Sequence, residues 1–459
     1  MSWAEVKKIN DNMSIPLDQL FLKLVGGFHR EYIYSSRTYE IPWDGVFTIR
    51  AYCGLYGQYG KVVKKFSKGE LLTITMTDNS TLTITSNKQS TSVFHINLSG
   101  MDSYVNSNSA DSIRAIAIGG SGLGRNGGNA TVRSNNGIAA GGGGAGGGNN
   151  TYDNSSPYYY LGWAGGRANA YGVNCYALGG GGGGGGNSRY NNGGGAGGAA
   201  YINGTALSGY CCTTSLTSGK GYNGENSHYT SSYTYGGSGG DGGCGGGCGL
   251  NRLSANTSSA WKTGGNGYFS DGGYMYGASA RGGAFGDIVY DGKNYNSRHY
   301  ANLNGRKGYF VGGNGASAMY FENTGYSGGT GGFLGGNGGN AYTTSDYENS
   351  AGGAGGYSPY GIGGCGGYGQ GNSSNYHPGN GGSGKLFGGN GGYCYGSING
   401  GTGGNGYYPG SGGLSKYGNQ GASGSAITTG VMTSSFPLNG MTPTTSIVII
   451  EAGDSIENF

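Results

Sequence analysis

The chain has 459 residues, of which 112 are glycine, 40 are tyrosine and only 8 are proline; 10% are charged and the net charge is +4. These proportions exclude an enzyme built round one aliphatic core, a collagen with strict Gly-X-Y and abundant proline, and highly charged disorder. A charge of +4 spread thinly gives no basic stripe of the kind nucleic-acid binding needs.

Residues 1–27 predict two short helices. Ser2 and Glu5 match a capping box, Pro16 suits the start of the second helix, and Gly26-Gly27 ends it. Trp3, Val6, Ile9, Met13, Leu17, Leu20 and Leu24 are the candidates for attachment or oligomerisation at the base of a fibre, a homotrimer being the expected state. The same stripe suits packing on the chain's own sheet equally well.

Residues 28–118 predict a small β-sandwich. Its clearest hairpin is Leu72-Thr-Ile-Thr-Met-Thr77, a turn at Asp78-Asn-Ser80, and Thr81-Leu-Thr-Ile-Thr85, with Ile74, Met76, Leu82 and Ile84 apolar on one face. The span 119–430 then carries one glycine in three, in clusters without a fixed period, so a solenoid with a regular sequence repeat is not expected. Packed polyglycine II helices would explain that density, because they pair backbone groups between neighbours that only glycine lets approach. The last segment, 431–459, holds the apolar run Ser446-Ile-Val-Ile-Ile450, which needs a sheet and is expected to pair beside 46–52 or 113–118. The fold class predicted is therefore mostly β plus irregular chain: short N-terminal helices, a small β-sandwich, and a large polyglycine II helix bundle closed by a C-terminal strand.

Catalytic motifs are weak. Gly236-x-Ser238-x-Gly240 and Gly325-x-Ser327-x-Gly329 fit a nucleophile elbow only by pattern, and Gly379-Asn-Gly-Gly-Ser-Gly384-Lys385 lacks the Ser/Thr of a phosphate loop. No catalytic residue, metal site or cofactor is expected, and the eight cysteines are expected as free thiols. Neither a secretory signal nor a membrane span is expected. The informative chemistry is aromatic. Tyr158, Tyr159, Tyr160, Trp163, Tyr233, Tyr235, Trp261, Tyr407 and Tyr408 lie in polar stretches between glycine runs, and they are the candidate receptor-binding residues. A tyrosine coat over the glycine body is the competing reading.

Two segments carry a resemblance. Met1-Ser-Trp-Ala-Glu-Val-Lys-Lys-Ile-Asn10 resembles the opening of tail-fibre-like proteins in phages and prophages of Gram-positive gut bacteria. Ile41-Pro-Trp-Asp-Gly-Val-Phe-Thr-Ile-Arg50, with later glycine runs and the closing Ser446-Ile-Val-Ile-Ile-Glu451, is similar to the glycine-rich domain of phage adhesins. In place of the usual glycine run, Cys53-Gly54 leads here into a further β segment reaching residue 118. The resemblance implies a non-enzymatic virion tail protein that binds a host-surface glycan or other receptor, assembles with other tail proteins, and leaves the cell by lysis. A glycine-rich filament or coat protein without a specific ligand, and a tailspike-type glycan depolymerase, are the alternatives.

Overall fold

A computed structural model of the protein describes residues 30–78, 80–88, 93–122, 124–147, 161–186, 193–229, 234–249, 263–273, 288–290, 293–295, 305–309, 312–315, 318–319, 327–342, 350–358, 361–370, 376–384, 387–395, 399–406, 408–426 and 446–453. Its first half is two facing sheets. Strands β1 (Arg30–Ile33), β2 (Arg37–Glu40), β3 (Gly45–Cys53), β4 (Gln58–Phe66), β5 (Leu71–Thr77), β6 (Thr81–Ser86), β7 (His95–Ser99), β8 (Asp102–Asn106) and β9 (Ser112–Ile118) pair antiparallel, alternating apolar and polar residues where one face meets water. Six further strands follow: β10 (Ala130–Arg133), β11 (Gly137–Ala140), β12 (Ala168–Tyr171), β13 (Tyr176–Leu178), β14 (Ala200–Ile202) and β15 (Thr205–Ala206).

These later strands extend both sheets. One sheet runs β1, the C-terminal strand Ile447–Ala452, β3, β4, β9, β11, β13; the other runs β15, β14, β12, β10, β8, β7, β6, β5, β2. From β8 to β14, successive strands go alternately to the two sheets, and each of β10 to β14 pairs in parallel with the strand before it in its own sheet, Ser103 with Ala130, then Ala168, then Ala200. The chain therefore winds in coils, each adding a rung to both sheets. Between the sheets lies one core, including Phe47, Ile49, Val62, Leu72, Ile74, Ile84, Ile96, Val105, Val132, Val448 and Ile450. Its approach is close enough that a Cβ on Gly60 would stand 2.6 Å from Ile96 Cγ2.

The C-terminal strand enters between β1 and β3, with Ile449 opposite both Tyr32 and Arg50. Its fully buried Glu451 pairs with Arg30 and Arg50. Sequence reading expected this strand in the sheet holding 46–52, and it is there.

The remaining glycine-rich chain leans on the outer face of the first sheet. Tyr32, Tyr52, Tyr59, Ile447 and Ile449 meet Phe269, Tyr309 and Phe333 in a second apolar cluster. Tyr309 packs edge-on to Tyr59, 4.2 Å between ring centroids, and donates a hydrogen bond to its hydroxyl at 3.3 Å.

The predicted fold class is corrected by this arrangement. All regular structure among the described residues is β, with no helix, so the body is not a helix bundle. It consists of extended segments joined by short parallel strand pairs, isolated bridges and direct glycine–glycine hydrogen bonds. The physical reason is that each backbone group finds its partner in a neighbouring segment of the same sheet-like stack. The two N-terminal helices predicted over 1–27, with Trp3, Val6, Ile9, Met13, Leu17, Leu20 and Leu24, lie outside the described residues. No helix of the described residues is long and apolar enough to cross a membrane.

Candidate functional site

The stack is built from Gly-Gly-X triplets. One relay of amide-to-carbonyl bonds runs Gly329 to Gly313, Gly336 to Gly329, Gly356 to Gly336, Gly364 to Gly356, Gly382 to Gly364, Gly389 to Gly382, Gly404 to Gly389, Gly410 to Gly404 and Gly424 to Gly410, all at 2.7 to 2.9 Å. A second runs from Gly353 on Gly339 through Gly367, Gly379, Gly392, Gly401 and Gly413 to Gly421, at 2.7 to 3.0 Å. No side chain fits along these lines: a Cβ on Gly336 would lie 1.9 Å from the Gly313 carbonyl oxygen. The third residue of each triplet is left to form the surface, and asparagine there accepts a bond from the next coil. Asn314 Oδ1 takes the Asn337 amide, Asn337 Oδ1 the Cys365 amide, and Asn390 Oδ1 the Ser411 amide, at 2.9, 2.9 and 3.0 Å.

Bridges align four coils in register, Leu334 to Ile362 to Phe387 to Tyr408. Written from that column, the coils read Gly335-Gly-Asn-Gly-Gly-Asn340, Gly363-Gly-Cys-Gly-Gly-Tyr368, Gly388-Gly-Asn-Gly-Gly-Tyr393 and Gly410-Ser-Gly-Gly-Leu414. Equivalent positions stack into columns. Phe387 and Tyr408 lie nearly parallel, 4.9 Å apart at 16°, and Tyr408 is 49% exposed. Tyr368 and Tyr393 stack at 5.4 Å and 15°, followed in register by exposed Leu414. Lys416 Nζ hydrogen-bonds the Tyr395 hydroxyl, lies 3.9 Å from the Tyr395 ring centroid, and is 4.9 Å from that of Tyr417. The bond to Tyr395 holds the Lys416 ammonium above its ordinary pKa. Tyr417 is 68% exposed. The last described coils thus carry tyrosine faces, one leucine and one cation on backbone that cannot rearrange without breaking the relays.

A second exposed aromatic pair, Tyr210 and Tyr222, stacks at 4.2 Å and 17° with Lys220 Nζ 4.6 Å from the Tyr210 centroid. Beside it Cys212 is half-buried, and hydrogen bonding, first from Ser215 and then Thr214, brings its thiol down to about 6. Burial instead pushes Cys211 up to about 11.

Of the residues singled out from sequence, Tyr408 occupies this surface. Trp163 is half-buried, and its backbone is woven into the stack, its amide on Ala145 and its carbonyl under Gly183. Tyr235 lies in the short strand Thr234–Tyr235, paired with His228–Tyr229. Tyr158, Tyr159, Tyr160, Tyr233, Trp261 and Tyr407 lie outside the described residues. The residues singled out from sequence do not include Phe387, Tyr368, Tyr393, Tyr395, Lys416 and Tyr417; for Tyr368 and Tyr393 the available signal is an aromatic directly after a Gly-Gly pair.

Two of the catalytic look-alikes contribute backbone to the stack, while the motif at 325–329 begins outside the described residues. In the motif at 236–240 the Gly237 and Gly240 amides bond the Gly185 and Gly182 carbonyls, both at 2.7 Å. In the motif at 379–385 the Gly379 and Gly382 amides are held by Gly367 and Gly364, so they do not cradle a phosphate. Among the described residues no group of three His, Cys, Asp or Glu side chains is placed to hold a metal ion. Comparison with protein-family models, with curated proteins and with solved structures finds no match.

Proposed function

We propose that this protein is a non-enzymatic phage tail-fibre adhesin that attaches a virion to a bacterial surface glycan. The observation that carries the reading is the set of exposed tyrosines, Tyr408 and Tyr417 with Tyr395 and Lys416, fixed on the last described coils. A tyrosine ring offers an apolar face to the C–H face of a sugar and a hydroxyl to its oxygens, at low entropy cost because the ring is already held. The sequence resemblance at both ends supports the same reading, with assembly into a tail, a homotrimeric fibre and release by lysis as its corollaries. Weak single contacts would be multiplied by several fibres binding together.

The test is retention of the purified chain on Gram-positive cell-wall sacculi, before and after periodate opens the sugar diols. Retention lost on periodate treatment is expected, and Y395A/Y408A/Y417A should weaken it at least about tenfold, the equivalent of roughly one lost stacking contact. Undiminished retention by the folded triple variant, or retention indifferent to periodate, overturns the assignment.

A further inference from the structure

The outer face of the second sheet differs between its two halves. On β5 and β6 it is a plain threonine surface, Thr73, Thr75 and Thr77 beside Thr81, Thr83 and Thr85. On β8, β10, β12 and β14 the alternation that sends Val105, Val132 and Ala170 into the core sends a different set outward. One row across the strands is Tyr104, Thr131, Asn169 and Tyr201, and the next is Asn106, Arg133 and Tyr171.

Within this face two guanidinium groups lie over tyrosine rings. Arg133 Cζ is 4.3 Å from the centroid of Tyr171, its register partner, and Arg167 Cζ is 5.3 Å from that of Tyr201. Both arginines are exposed, and neither makes an ion pair among the described residues. Stacking fixes each guanidinium plane while its edge N–H donors stay free to meet an anion in bidentate fashion. The only carboxylate on these four strands is Asp102, at the opposite end of β8 from Asn106, and it accepts the Asn129 amide at 2.7 Å. The surrounding sequence repeats the bias: residues 112–224 hold Arg114, Arg125, Arg133, Arg167, Arg189 and Lys220 against Asp153 alone. Tyr104 and Tyr201 stand three strand spacings apart, about 14 Å, a span that suits several linked sugars better than one.

We infer that this half-sheet is a second glycan-binding surface, taking an extended anionic polysaccharide whose phosphate or carboxylate groups meet Arg133 and Arg167 while its sugars lie on Tyr104, Tyr171 and Tyr201. The inference rests on the adhesin reading and adds to it a site and a ligand charge. Asn169, which bonds Thr131 Oγ1 at 3.3 Å, keeps the floor between the tyrosines flat and polar.

Three polymers serve as probes for the full-length chain: poly(glycerol phosphate), polygalacturonate and neutral dextran. Binding of at least one anionic polymer above dextran, weakening as salt rises, is expected. R133Q/R167Q should lower that affinity at least about tenfold, as the loss of charge-assisted hydrogen bonds requires. R133K/R167K, which keeps charge but not the planar fork, should fall between. Which anionic polymer binds identifies phosphate or carboxylate as the recognised group. Equal binding of all three polymers, or undiminished anion binding by the arginine variants, overturns the inference. The adhesin reading fails separately, if the unmodified chain and the Tyr395/Tyr408/Tyr417 variant are retained equally on sacculi. Should R133Q/R167Q not fold, R133K/R167K and Y171A/Y201A carry the same comparison.

Discussion

A glycine-rich chain places unusual weight on its few reactive side chains, and Cys212 shows it. Its half-buried side chain is hydrogen-bonded by Ser215 and Thr214, which brings the thiol down to about 6. Cys211 and Cys244 are buried, and burial raises both. Because the thiolate is the nucleophile, iodoacetamide near neutral pH should modify Cys212 well before Cys211 or Cys244. Its labelling rate should fall as pH drops through about 6, where the thiolate takes up its proton. Peptide mass spectrometry reads both effects; equal labelling of Cys212 and Cys244 in the folded protein would contradict the geometry. The asparagines carry a different residue-scale lesson. Asn337 Oδ1 accepts the Cys365 amide 28 positions on, a pairing that no local pattern in the sequence indicates. Asn337→Ala should remove that bond and cost about 1 kcal/mol in denaturant unfolding, the usual net worth of one hydrogen bond.

At the scale of elements, the antiparallel half was legible because local patterning determines it. The hairpin of β5 and β6 sets Ile74 opposite Ile84 and Met76 opposite Leu82, as strict alternation requires. The apolar run Ile447 to Ile450 likewise announced a buried strand, and its partner could be inferred because only one strong sheet was in sight. The coils were not legible as a repeat, since the loops between equivalent triplets change length. The Asn337-to-Cys365 step spans 28 residues and the Asn390-to-Ser411 step only 21, which defeats any search for a constant period. For the same reason the aromatic columns were missed: Phe387 and Tyr408 become neighbours only once their coils are in register. Dense glycine suggested a helix bundle, but extended segments satisfy the same backbone groups by sideways bonding. Gly336→Ala tests this packing, because its Cβ would fall 1.9 Å from the Gly313 oxygen. Separating the coils to admit it should cost about 1–3 kcal/mol, the range for overpacking, whereas a stability equal to the parent's would mean the segments are not in contact.

For the whole molecule, the first and last of the described strands hold each other in place. The C-terminal strand separates β1 from β3, and its Glu451 is buried between Arg30 and Arg50. Removing that carboxylate leaves two guanidinium groups without their shared counter-charge, so Glu451→Ala should destabilise the protein by about 3 kcal/mol. The loss should appear in both the sandwich and the coils, since Tyr32, Tyr52 and Ile449 also form the floor under Phe333. Unfolding of the coils alone would contradict that coupling. The adhesin reading depends on the glycine-rich half being a bonded stack, able to hold Tyr395, Tyr408 and Tyr417 at fixed spacing. Amide hydrogen exchange at Gly329, Gly336, Gly356, Gly364 and Gly382 tests that most directly, because each amide donates to a carbonyl of another segment. Protection approaching that of the β3 and β4 amides is the expected result; exchange at the rate of an unstructured glycine chain would contradict it.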